Sequence, residues 1–115
     1  MTVLHDIERA AYDVATGRAG DIIPVATNFS VVRFPRESGW EYRVFSYRTL
    51  VALVTRPFGE GVRVDMCTDA LRHSATTSRH VCRFINGVVS GRVDWERLRA
   101  MCEAATGSTV VVPTV

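Results

Sequence analysis

The sequence predicts an α+β domain, a small antiparallel sheet with about three helices packed mainly on one face. An amphipathic helical pattern opens the chain, and segments rich in β-branched and aromatic residues, punctuated by proline and glycine, fill its middle. Two further helical patterns then precede a short extended piece at the end. With 115 residues and 47% hydrophobic composition, the chain supports one core over residues 1–115 and has no room for a second.

Each element has its own local reason. Thr2 is a helix cap, and Val3, Leu4, Ile7, Ala10, Ala11 and Val14 recur at helical spacing, leaving Asp6, Glu8, Arg9 and Asp13 to water. Gly17 and Gly20 end this helix. The stretch Ile22 to Phe34 is broken by Pro24 and Asn28 and finishes with strand composition at Ser30 to Phe34. Pro35 to Gly39 reads as a turn. Trp40 to Tyr47 and Thr49 to Thr55 are rich in aromatic and β-branched residues, giving one bent strand or two consecutive strands around Ser46 to Arg48. Pro57, Gly59 and Gly61 mark a hairpin-like connection, after which Val62, Val64 and Met66 alternate with Arg63, Asp65 and Cys67.

Beyond Leu71 a hydroxyl cluster, Ser74, Thr76, Thr77 and Ser78, stands before a short helical pattern. In it Val81, Phe84 and Ile85 face inward while Arg79, Arg83 and Asn86 face outward, and Gly87 and Gly91 close it. Asp94 caps the last helix, whose apolar stripe is Trp95, Leu98, Met101, Cys102 and Ala105, and Gly107 stops it. Thr109 to Val112 is β-branched and returns to a sheet edge before Pro113.

Composition excludes several classes. No apolar run is long enough to cross a bilayer, and the acidic N-terminal pattern differs from a secretory signal, so the expected location is cytoplasmic with no membrane partner. Three separated cysteines, Cys67, Cys82 and Cys102, form neither a disulfide framework nor a familiar zinc pattern, and phosphate loops and dinucleotide fingerprints are absent. No cofactor and no metal are therefore expected. All fourteen basic residues are arginine, and net charge is only +2. Its distribution is uneven: residues 1–21 hold Asp6, Glu8, Asp13 and Asp21 against Arg9 and Arg18, whereas residues 70–93 hold Arg72, Arg79, Arg83 and Arg92 with no acid.

The candidate site lies inside that basic block. Unpaired amides at a helix start attract anions, and Thr76, Thr77, Ser78, Arg79 and His80 add hydroxyl, guanidinium and imidazole donors. Arg79 and Arg83 stand one helical turn apart, and Arg72 precedes them, so the set can flank an anion or follow a nucleic-acid backbone. The plain alternative is that Thr76 or Thr77 caps the helix, the arginines are solvated, and His80 packs beside Phe84. Trp40, Tyr42, Phe45 and Tyr47 offer a stacking platform for bases, a dimer surface, or simply core.

Two stretches, Phe45-Ser46-Tyr47-Arg48-Thr49-Leu50-Val51-Ala52 and His73-Ser74-Ala75-Thr76-Thr77-Ser78-Arg79-His80, together resemble a family of small uncharacterised phage and prophage proteins, a domain of unknown function. Its members show a serine-tyrosine-x-threonine strand and a serine-x-threonine-threonine-serine-lysine/arginine-histidine box, often with tyrosine where this chain has His73. The similarity covers roughly residues 45–86. It implies a phage setting, in the host cytoplasm, and points to Thr76 through His80 without naming their chemistry.

Three functions follow as expectations. The first is a non-catalytic phage accessory protein that binds a host protein or nucleic acid through Arg72–Arg83. The second is a self-associating interaction module, a possible homodimer formed through the Trp40–Tyr47 strand or the terminal strand. The third is a small enzyme acting on phosphate esters, with His80 as acid/base and Arg79 as anion clamp.

Overall fold

Among the described residues, six strands follow one another across a single sheet in chain order, every neighbouring pair antiparallel. The computed structural model describes residues 3–17, 22–26, 28–59, 61–72, 74–89 and 91–115. Helix α1 (Val3–Thr16) leads into β1 (Ile22–Ala26), β2 (Phe29–Arg36), β3 (Gly39–Ser46), β4 (Thr49–Pro57) and β5 (Arg63–Cys67). A single 3-10 turn, Ala70–Arg72, is followed by α2 (Ala75–Val88), α3 (Trp95–Ala104) and β6 (Thr109–Val111), which pairs with β5. The expected α+β architecture is present. The Thr2 cap, the Gly20 stop and His73 lie outside the described residues.

One face of the sheet makes the core. Phe29 and Val31 of β2, Tyr42 and Val44 of β3, Val54 of β4, and Val64 and Met66 of β5 are buried in cross-strand rows such as Tyr42–Val54–Val64. A bulge opposite Val44/Phe45 lets consecutive residues Val51 and Ala52 both be buried. Against this face lie Ile7, Ala10, Ala11 and Val14 of α1, Val81, Phe84, Ile85 and Val88 of α2, and Leu98 and Cys102 of α3, all within one core. Val32, Phe34, Phe45 and Leu53 stand on the opposite face, half-buried. That face also carries Glu41 between Arg36 (3.0 Å) and Arg43 (2.7 Å), and an Arg63–Asp65 pair at 3.1 Å. Burial opposes ionisation of Glu41, but the hydrogen bonds and charges of Arg43 and Arg36 outweigh it and hold the carboxyl below its ordinary range.

Several boundaries differ from expectation, each for a local reason. Ile22 to Phe34 is two strands, because the chain turns at Asn28 and an irregularity between Pro24 and Ala26 absorbs the proline near the sheet edge. Pro35 belongs to β2 rather than to the turn, which is Glu37–Ser38. Around Ser46 to Arg48 the two-strand alternative holds, the strands being joined by a two-residue loop, Tyr47–Arg48. Gly87 does not close α2. The helix runs through it to Val88, and the missing side chain faces α1, where a Cβ would stand 2.6 Å from the Ala11 Cβ. Ser74, not a threonine, caps α2, and Asp94 caps α3 by accepting from the Arg97 amide at 3.0 Å.

Candidate functional site

The hydroxyl segment is largely engaged in building its own helix. Ser74 Oγ accepts the Thr77 amide at 3.2 Å and donates to Thr77 Oγ1 at 3.1 Å, and Thr77 is only 6% exposed. Ser78 Oγ donates to the Leu71 carbonyl at 3.4 Å, tying α2 to the preceding 3-10 turn. Because the helix begins at Ala75, Thr76 to His80 lie within its first turns rather than ahead of it. Thr76 remains exposed.

The charged members fare differently. Arg79 is exposed and has no hydrogen bond or ion pair among the described residues. Arg83 reaches Glu8 of α1 at 3.0 Å, both side chains about half exposed. Arg72 stands 3.6 Å from Asp69 in an open pair. Such pairs contribute little stability and yield readily to a stronger anion. His80 is half-buried, its ring edge-on to Phe29 with centroids 6.5 Å apart; Phe29 in turn meets Phe84 at 5.9 Å. The histidine thus packs first on a strand residue, with Phe84 one ring further on.

Along α2 the exposed positions Thr76, Arg79, Arg83 and Asn86 form a polar stripe without a carboxylate of its own. The two stretches singled out by sequence meet at one end of the sheet. Phe29, which touches His80, pairs with Ser46, and the adjacent Tyr47 amide donates to the Asn28 carbonyl at 2.6 Å. Tyr47 has φ +58° and its side chain is 64% exposed, with exposed Arg48 beside it. Of the two expected arrangements, two consecutive strands around Ser46 to Arg48 is the one present, with Tyr47 and Arg48 crowning the turn. A tyrosine-arginine pair between two strand-like runs, without glycine, gives little signal of a tight turn.

The supposed aromatic platform is divided between the two faces. Tyr42 is fully buried, Phe45 lies on the opposite face, and Trp40 lies on the helix side beneath the Arg33 guanidinium at 3.9 Å. Among the described residues, no three histidine, cysteine, aspartate or glutamate side chains gather as a metal site. Burial pushes all three thiols up, reinforced at Cys67 by Asp69 and Asp65 and opposed at Cys82 by Arg99 and at Cys102 by Arg72. Among the described residues no helix is long and apolar enough to cross a membrane.

No curated protein and no solved structure matches the chain. A family model does match, over residues 19–99, taking in the whole sheet except β6, all of α2 and the first half of α3. The chain belongs to that family, a family of unknown function, DUF8033.

Proposed function

We propose that the chain is a phage-type accessory protein that acts by occupancy, binding a polyanionic partner, nucleic acid first, along the Thr76–Arg79–Arg83–Asn86 stripe of α2. The observation that carries this reading is Arg79, exposed on that stripe with no carboxylate partner among the described residues. Arg83 joins it by exchanging Glu8 for phosphate, and Tyr47 and Arg48 present further donors at the same end of the sheet. Thr77 and Ser78 support the helix instead of touching the partner. Contacts of this kind release counterions, so affinity falls steeply with salt.

The test is anisotropy titration of labelled duplex DNA and single-stranded RNA across a salt series. Arg79→Ala with Arg83→Ala should weaken binding and reduce the log–log salt slope by about two, one for each lost phosphate contact. Absence of salt-sensitive binding to either nucleic acid overturns the nucleic-acid reading. A second reading, self-association, is favoured by β6: it is a three-residue edge strand whose outward Val111 is 43% exposed. Light scattering showing a monomer across the accessible concentration range removes it.

A further inference from the structure

The opposite end of the sheet holds a second, differently built site. There β3 and β4 place Trp40 directly across from Arg56, while Gly17 at the end of α1 covers the Arg56 guanidinium. The cavity beside them measures about 300 Å³ and, among the described residues, is lined by Thr16, Gly17, Trp40, Arg56, Pro57 and Phe58, with Gly59 at its rim. Arg56 Nη1 is buried, and among the described residues it has no hydrogen-bond acceptor. That nitrogen lies under Gly17 and out of a ligand's reach, so an anion in the cavity meets the part of Arg56 that lines it. Phe58 is an apolar side chain left 66% exposed at the cavity mouth, and Trp40 supplies a half-buried wall.

Gly17 is part of the construction. Its φ is +75°, and a Cβ there would collide with the Arg56 guanidinium. Glycine therefore lets the helix end close over the arginine without displacing it. The same helix end limits the charge of the ligand, because the C-terminal pole of α1 is negative and repels a dianion more than a monoanion.

We propose that this cavity binds a small aromatic carboxylate, its carboxylate on Arg56 and its ring between Trp40 and Phe58. The part of Arg56 that lines the cavity pairs with one carboxylate, and the two aromatic side chains supply the walls. The site is distinct from the α2 stripe, none of whose residues lines the cavity.

The experiment is calorimetric titration of the full chain with benzoate, acetate, benzyl alcohol and phenyl phosphate. Benzoate should saturate one site, and acetate, which lacks the ring, and benzyl alcohol, which lacks the charge, should each bind about tenfold more weakly or worse. Arg56→Gln should weaken benzoate by about tenfold with an unchanged near-ultraviolet spectrum, and Arg56→Lys should retain more affinity than Arg56→Gln. Phe58→Ala removes an exposed side chain, so it tests the ring contact even where an Arg56 variant folds poorly; a loss of about threefold or more is expected. Arg79→Ala with Arg83→Ala should leave benzoate binding unchanged, which separates this site from the nucleic-acid reading. The proposal is overturned by benzoate failing to saturate at about 10 mM, by phenyl phosphate binding more tightly than benzoate, or by a folded Arg56→Gln or Phe58→Ala variant binding benzoate as wild type does.

Discussion

Gly87→Ala is the perturbation whose sign the helix packing reverses. In an exposed, isolated helix, alanine in place of glycine stabilises by about 1 kcal/mol. Here the added methyl would stand 2.6 Å from the Ala11 Cβ, and Ala11 is fully buried. Two methyl carbons need roughly 3.5–4.0 Å, so α1 and α2 must separate by about 1 Å or slide. Overpacking of this size costs about 1–3 kcal/mol, which gives a net change between about zero and 2 kcal/mol destabilising. Ala11→Gly supplies the control. With the Ala11 Cβ gone, the nearest neighbour of the new methyl is the residue 11 Cα at 4.0 Å, an ordinary contact. In that background Gly87→Ala should stabilise by about 1 kcal/mol, so the double-mutant cycle should show a coupling of about 1–3 kcal/mol. Urea midpoints of the four proteins, at equal m-values, measure it. Equal stabilisation by Gly87→Ala in both backgrounds would refute the close approach of the two helices.

Two more perturbations test the sheet. Tyr47→Gly should raise stability by roughly 0.5 kcal/mol, because relief of a positive φ in an L-residue, worth about 1–2 kcal/mol, exceeds the unfolded-state entropy glycine adds; thermal melts check the sign, and a clear destabilisation contradicts the strain. Glu41 has its carboxyl held low by Arg43 and Arg36 despite burial, so its stabilisation is present above the ordinary carboxylate range and is lost as pH falls through the lowered folded value. Glu41→Gln should therefore flatten the fall in urea midpoint between about pH 5 and pH 2 relative to wild type, and an unchanged slope contradicts that role.

Much of the architecture was legible in local pattern. Val64 and Met66 alternate inward, Asp94 is followed by an apolar stripe, and Ile7, Ala10, Ala11 and Val14 share one helix face, so burial and capping follow from spacing alone. Gly87 was misread because glycine in a helix pattern has two meanings, a stop or a close approach, and only the position of Ala11 chooses between them. β1 was missed because Pro24 reads as a break, whereas a strand at the edge of the sheet accommodates a proline. The candidate site was legible as a helix start and a basic block. What local sequence cannot express is the destination of each hydroxyl: Ser78 bonds a carbonyl seven residues back, and Thr77 bonds its own cap.

That outcome shifts where recognition chemistry is expected in this fold. A cluster of neighbouring polar residues at a helix start is the place where the backbone itself has the greatest need of donors and acceptors, so Ser74, Thr77 and Ser78 are claimed by capping before any ligand arrives. Groups left over for binding are Arg79, exposed to solvent, and the part of Arg56 that lines the cavity beside Trp40. The first belongs to a flat, open stripe suited to an extended polyanion, whose contacts are few and salt-sensitive. The second belongs to an aromatic-walled cavity suited to a small ligand that joins one ring to one charge. Because no residue of the stripe lines the cavity, the two recognition events are separately measurable.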